Sequence, residues 1–278
     1  MVKYFLVILL PVVVFFSSCS SPRYIYAPSP PNNPYFTTKG ESKLAASYSA
    51  GFSRGNKTSG TKPINNGYDL QAAYAISNNW ALTASFFKRS ERDVYPTLNS
   101  NYFDSSIVNY KRHIVDVGGG YFVPLDKRKT VFFNIYGGIG FGKFLIVDKG
   151  IDKSGFDYNR FHHSNIIKWF FQPSINSIAG KYFRASFIGR ISFVHYGNIS
   201  TTYANEELQY FFLVKIRNKT IAYIEPTFNL QIVIPDLDGL KIDGGFTFSS
   251  DPFRDIARIE ARSFNAMAGL CFDLSKLK

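Results

Sequence analysis

The sequence is poor in cysteine and has no block of like charges. Its 278 residues include only Cys19 and Cys271, so once Cys19 is used in processing, a disulfide framework or a cysteine-based zinc site is excluded. The net charge is +12, but the basic residues are scattered and form no basic helix, which argues against nucleic acid as a partner. With 45% hydrophobic residues, disorder of the whole chain is excluded as well.

The N-terminal apolar run is too short for a transmembrane helix. It extends over "YFLVILLPVVVFF", roughly 13 residues against the about 20 that a spanning helix needs. Pro11 inside the run would also weaken a permanent helix. Because Lys3 precedes the run and small residues follow it, the pattern predicts a secretory signal peptide over residues 1–18.

The end of this run resembles the signal box of bacterial lipoproteins. In "FSSC", Phe16 to Cys19, an apolar residue and two small residues precede a cysteine, although that family usually has Leu where Phe16 stands. The resemblance implies that Cys19 becomes the mature N-terminus and carries acyl chains, which hold it at a membrane. The alternative is an ordinary signal peptide with an incidental cysteine. Residues 19–42, with five prolines in "PRYIYAPSPPNNPYF", are then expected to form an extended tether.

From Lys43 onward the chain shows no helical period and alternates with period two instead. In "GYDLQAAYAI", for example, Tyr68, Leu70, Ala72, Tyr74 and Ile76 share one face. Most of these segments have about 11 to 17 residues, well above the mode of about 5–6 in soluble proteins. The pattern predicts ten strands at 43–54, 67–77, 79–90, 111–123, 129–145, 165–179, 181–197, 219–234, 239–250 and 262–274.

Short and long connections alternate strictly between these strands. The short ones are 77–79, 124–129, 180–181 and 235–239, and the long polar ones are 55–66, 91–110, 146–164, 198–218 and 251–261. In an up-and-down barrel every second connection falls at the same end, so the two kinds of connection would lie at opposite ends.

This pattern resembles the small outer-membrane β-barrel proteins, the OmpA/OmpX type and its ten-stranded relatives. The resemblance covers residues 43–278 and implies an all-β, antiparallel transmembrane barrel in a bacterial outer membrane. It also implies short periplasmic turns, long outer loops, both chain termini in the periplasm and insertion by the barrel assembly machinery. One departure is that the chain continues past Phe272 to Lys278, whereas many such barrels end on an aromatic residue. The alternative fold is a soluble sandwich or lipocalin-like barrel with its apolar face inside.

In a membrane barrel the polar strand faces line the lumen. The alternation then predicts a lumen charge network of Asp69, Asp116, Lys168, Arg184, Arg190, Glu225, Lys241 and Asp243. Channels for free diffusion appear at about 16–18 strands, so a ten-stranded barrel with paired charges is expected to be plugged. The glycine clusters 118–120 and 137–142 precede no helix and are expected to make room in adjacent strands rather than to bind phosphate.

The expected function is non-enzymatic, structural or in surface interaction, without cofactor or metal. His162 and His163 fall in a predicted loop, and a dyad of either with Asp157 is one candidate for catalysis. Lipid-facing chemistry by His195 with Ser192 or Tyr196 is the other, although their strand parity is unfavourable. Loops 91–110 and 146–164 are the expected binding face for an extracellular ligand or protein. Membrane lipid and lipopolysaccharide are further expected partners, with basic loop residues meeting phosphates: Arg89, Arg92, Lys149, Lys153 and Arg160. The alternatives are narrow-pore transport, a small-ligand channel and a lipid-modifying outer-membrane enzyme.

Overall fold

The computed structural model describes residues 23–53, 61–95, 106–151, 156–217, 219–235, 237, 239–252 and 260–276. The predicted signal peptide, Cys19 and Lys153 lie outside these residues. The strands are β1 (Tyr24–Tyr26), β2 (Ser42–Ala50), β3 (Ile64–Ala75), β4 (Trp80–Val94), β5 (Ser106–Pro124), β6 (Val131–Ile151), β7 (Asp157–Ala179), β8 (Phe183–Thr201), β9 (Thr220–Val233), β10 (Leu240–Phe248), β11 (Glu260–Ala261) and β12 (Phe264–Phe272). Helix α1 (Asn205–Tyr210) and two 3-10 turns, Leu213–Ile216 and Leu274–Lys276, complete the description. Among the described helices, none has the length and apolar character needed to cross a membrane.

Ten of the strands form one closed antiparallel barrel. The order around the wall is β10, β12, β2, β3, β4, β5, β6, β7, β8 and β9, and the pairing of β9 with β10 closes it. The two remaining strands, β1 and β11, pair only with each other. The predicted ten-stranded up-and-down barrel is therefore confirmed. We call the end with the connections 76–79, 125–130, 180–182 and 234–239 the short-turn rim, and the opposite end the long-loop rim.

Several strands continue farther toward the long-loop rim than predicted. The prediction that 91–110 and 146–164 are loops is wrong for most of their described residues, because β4, β5, β6 and β7 extend into both segments. The connection between β6 and β7 shrinks to residues 152–156. The feature of the sequence that indicates these longer strands is that charged residues, which face inward, continue to occupy every second position. The wall therefore rises beyond its apolar band.

Side chains alternate across the wall with polar groups inside and apolar groups outside. In β3, Asp69 is 2% exposed, whereas its neighbours Tyr68 and Leu70 are 62% and 53% exposed. Successive side chains of a strand point to opposite faces. The register of a strand therefore determines which of its side chains face the lumen and which face outward. This arrangement is the inverse of a lipocalin-like barrel and excludes the soluble alternative with an apolar interior.

The outer surface carries a continuous apolar band. On β6 the outward residues from Val131 to Phe141 are all apolar or glycine. Ten steps of about 3.4 Å at a tilt of about 40° give a height of about 26 Å, close to the apolar band of transmembrane barrels. The next outward residue, Lys143, pairs in register with His113, which pairs with Lys88. We call these three exposed residues the basic row, and they mark the upper edge of the band.

The two glycine clusters lie side by side, as predicted, and leave room inside the wall. Gly118 of β5 stands opposite Gly138 of β6. A Cβ atom on Gly138 would collide with the Val117 carbonyl and lie 2.7 Å from the Phe170 ring. A Cβ atom on Gly140 would collide with the Asp116 carboxylate. The clusters therefore accommodate bulky and charged lumen side chains.

Replacing Gly138 by Ala should destabilise the barrel, because the wall at this position has no space for a methyl group. We expect a loss of about 1–3 kcal/mol in the free energy of unfolding, the usual cost of overpacking. The matched control is Gly189→Ala in β8, where a Cβ atom meets nothing within 4 Å, and it should change stability by no more than about 0.5 kcal/mol. Urea titration in lipid vesicles measures both. Equal stability of the two variants would contradict the packing account.

Candidate functional site: the occupied lumen

Residues 23–36, which we call the lumen thread, run through the interior of the barrel. All of them except the partly exposed Tyr24 are buried. At one end Arg23 donates to Asp148 beside the long-loop rim, and at the other Phe36 packs on Phe122 near the short-turn rim. An extended segment of this length spans about 43 Å, comparable to a bilayer with its headgroups. Where the sequence predicts a tether over 19–42, the structure shows that residues 23–36 plug the barrel instead.

The composition of the lumen thread suits a segment with no neighbouring strand along most of its length. Proline has no N–H group, so its burial leaves no backbone donor unsatisfied. The thread carbonyls accept hydrogen bonds from side-chain amides of the wall. Four such bonds join thread and wall: Asn265 to the Pro28 carbonyl at 3.2 Å, Gln71 to Pro30 at 3.4 Å, Gln172 to Asn32 at 3.2 Å and Asn134 to Pro34 at 3.3 Å.

Four of the eight predicted lumen charges form two ion pairs around Ser29 of the thread. Lys168 lies 2.5 Å from Asp116, and Arg190 lies 2.8 Å from Glu225. Arg190 also donates to the Ser29 carbonyl, and the Lys168 Nζ atom is 3.5 Å from the Ser29 hydroxyl. We call these five residues the Ser29 clasp. Because the cations are neutralised by the wall and also bind the thread, the clasp fixes the thread at mid-lumen.

The remaining predicted lumen residues lie apart from the clasp: Asp69, Arg184, Lys241 and Asp243. Arg184 is half-buried, and its guanidinium group is 5.9 Å from the centre of the Tyr35 ring of the thread. Lys241 lies 3.6 Å from the Asp273 carboxylate near the short-turn rim. The other two are buried at separate points of the inner wall. The eight residues therefore line one lumen, and four of them form the two ion pairs of the clasp.

A second ion cluster near the long-loop rim is not among the predicted sites. Glu91 lies 3.1, 2.7 and 3.0 Å from Arg89, Arg112 and Arg262, and Arg262 also binds Asp93 at 2.7 Å. We call these residues the Glu91 cluster. The prediction that Arg89 contacts lipopolysaccharide from a loop is wrong, because it is 1% exposed inside the barrel. The sequence does contain an indication of this cluster, because charged residues occupy every second position at Arg89, Glu91 and Asp93, as expected for the inward face of a strand.

Aromatic residues close the lumen above the clasp. Tyr26 of the thread stacks on Tyr223, with ring centres 4.0 Å apart, and its hydroxyl donates to Glu225 at 2.8 Å. The Arg23 guanidinium lies 3.9 Å from the Phe211 ring, just after α1. The rings of Tyr26, Tyr223 and Phe211 belong, with Ile25, to one buried apolar cluster. Within the described residues, the lumen is thus filled by packed side chains at the level of this cluster.

The histidines do not assemble the catalytic dyad considered from sequence. The prediction that His162 and His163 lie in a loop is wrong, because both belong to β7 and point to opposite sides of the wall. Asp157 is six positions from His163, about 20 Å along the strand, too far for a hydrogen bond. His195 faces outward beside Thr220, at 3.4 Å. In the part of the chain that the structure describes, no group of His, Cys, Asp and Glu could hold a metal ion.

Replacing Glu225 by Ala should strongly destabilise the protein, because it leaves the Arg190 cation buried without its partner. The expected loss in the free energy of unfolding is about 3–5 kcal/mol. Tyr26→Phe removes only one hydrogen bond to the carboxylate and should cost about 1.5–3 kcal/mol.

The control for both variants is Glu206→Ala, at an exposed position of α1, with an expected change of at most about 1 kcal/mol. Urea titration in lipid vesicles ranks the three variants. A Glu225 variant as stable as the Glu206 variant would show that the clasp does not hold the fold.

Comparison with solved structures finds a set of similar chains, among them the NanC porin and Ail. No family model matches the chain, and no curated protein matches its sequence. The NanC porin is 11% identical with a TM-score of 0.36, over 83% of this chain and 98% of the porin. Ail, the attachment invasion locus protein of Yersinia pestis, is 13% identical with a TM-score of 0.28, over 84% of this chain and 97% of Ail. At scores this low neither likeness supports a function, and the barrel assignment rests on the strand pairing.

Proposed function

We propose that the protein is a bacterial outer-membrane barrel that does not conduct, because its own N-terminal segment fills the lumen. The burial of residues 23–36 inside a closed wall is the observation that carries the proposal. The apolar band of about 26 Å supports the membrane location, and a closed barrel leaves no sheet edge unpaired in lipid. The signal peptide predicted over residues 1–18 agrees with export to the envelope.

With the lumen filled, the long-loop rim is the part of the barrel that can meet other molecules. It carries α1, the 3-10 turn Leu213–Ile216 and the extended ends of β4 to β7. Loops and strand ends on a rigid scaffold are where binding usually occurs. We assign a structural or surface-interaction role to this rim, including the described parts of 91–110 and 146–164, and no enzymatic activity.

The basic row is the proposed contact with lipopolysaccharide. Lys88, His113 and Lys143 are exposed neighbours at the upper edge of the apolar band, where lipid headgroups would lie. Ammonium groups at that depth can bind phosphate through charge-assisted hydrogen bonds. These outward residues replace the buried Arg89 as the phosphate-binding candidates.

A second candidate function, transport through a narrow path, follows from how the thread is held. Apart from β1, which pairs with β11, the thread is fixed by side-chain contacts and contributes no strand to the wall. It could therefore shift within the lumen without opening the barrel. A lumen that conducts when the thread moves would be lined by the clasp residues.

Single-channel recording of the purified protein tests the filled lumen. We expect no steady current from the wild-type protein in a planar bilayer. Deletion of residues 23–36 should give steady open currents, because no other segment that the structure describes runs through the lumen along its length.

A deletion of residues 54–60, in the connection between β2 and β3, is the control and should remain silent. Each variant is first checked for folding by its heat-modifiable mobility. Steady currents from the wild-type protein would overturn the closed lumen, and bursts of current that end in full closure would favour the transport candidate.

A further inference from the structure

The lumen thread has a direction, and that direction places the two described chain ends at opposite rims. Arg23 binds Asp148 at 2.5 Å, and the Tyr203 hydroxyl donates to the same carboxylate at 3.1 Å. Both partners flank connections of the long-loop rim. At the other end of the chain, the Asp273 amide donates to the Gly239 carbonyl at the short-turn rim, at 2.7 Å.

The exit of the thread at the short-turn rim is equally well defined. The Lys39 amide donates to Asn78 at 3.0 Å, and the Gly40 amide donates to Ala75 at 2.9 Å. Both acceptors belong to the β3–β4 hairpin, and β2 begins directly afterwards. The chain therefore descends from the long-loop rim through the lumen and then turns upward into the wall. This differs from the expectation that both chain ends lie on the short-turn side.

We propose that the mature N-terminus leaves the barrel through the long-loop rim and lies on the cell surface. The inference rests on the proposed outer-membrane function, because the long-loop rim faces outward only in that setting. Cys19 precedes Arg23 by four residues, which reach about 14 Å at most when extended. The short-turn rim is about 43 Å away along the thread. The lipid predicted on Cys19 therefore belongs to the outer leaflet, not the inner one.

The same geometry constrains assembly, because the wall must close around the thread. The thread passes the Ser29 clasp and the Glu91 cluster, where charged side chains are packed around it. If the wall closed first, the acyl chains predicted on Cys19 would have to pass between these side chains to reach the long-loop rim. The first wall strand, β2, pairs with the last, β12. We infer that the thread lies against β2 and its neighbours before β12 completes the wall.

Thiol labelling on intact cells tests the exit of the N-terminus. All variants carry Cys271→Ser, and this parent gives the background from Cys19. Ser21→Cys reports the N-terminus, Glu206→Cys in α1 reports the long-loop rim, and Lys127→Cys reports the short-turn rim. A membrane-impermeant maleimide is applied before and after permeabilisation of the outer membrane.

We expect Ser21→Cys to label in intact cells to the same extent as Glu206→Cys, while Lys127→Cys labels at least tenfold less until permeabilisation. If Ser21→Cys follows Lys127→Cys instead, the inference is overturned although the proposed function stands. The two controls judge the proposed function separately. If the two controls label alike in intact cells, the proposed outer-membrane orientation fails, whatever the labelling of Ser21→Cys.

Discussion

The structure depends on one constraint: a charge buried inside a membrane-sized wall is stable only when an opposite charge lies beside it. The lumen is too narrow and too full for bulk water. An unpaired charge inside it would therefore lower the free energy of unfolding by several kcal/mol. The wall meets the constraint with ion pairs, as between Arg190 and Glu225. Side-chain amides then satisfy the carbonyls of a segment that the same chain inserts.

The same need for partners explains why a proline-rich segment fills the lumen. A regular strand at the centre would carry N–H groups with no ladder to join, whereas prolines carry none. The glycines of β5 and β6 belong to the same arrangement, because a methyl group on Gly140 would meet the Asp116 carboxylate that binds Lys168. Thread, clasp and wall are therefore one packed unit, and the surface role proposed for the long-loop rim depends on its rigidity.

Much of the wall could be predicted from sequence, because the alternation of side chains is a local property. It located all ten wall strands and placed residues such as Asp69 and Lys168 inside. Where outward apolar residues give way to polar ones, the alternation no longer distinguishes a strand from a loop, and the prediction therefore places Arg89 at the surface. The thread could not be predicted, because its contacts join Ser29 to Arg190, far apart in the chain, and its prolines carry no period. The ion pair of Arg23 with Asp148 could not be predicted either, because these two residues are also far apart in the chain.

Cross-linking of the thread to the wall tests the central claim most directly. In a Cys271→Ser background, Asn33→Cys is combined with Asn176→Cys, because these two side chains are hydrogen-bonded at 2.6 Å inside the lumen. The matched control combines Asn33→Cys with Ser177→Cys, the exposed next residue on the outer face of β7. With a short bifunctional thiol reagent and peptide mass spectrometry, the account predicts a cross-link in the first pair and none in the second. Absence of a cross-link to Asn176→Cys in folded protein, or equal cross-linking of both pairs, would contradict a thread inside the barrel.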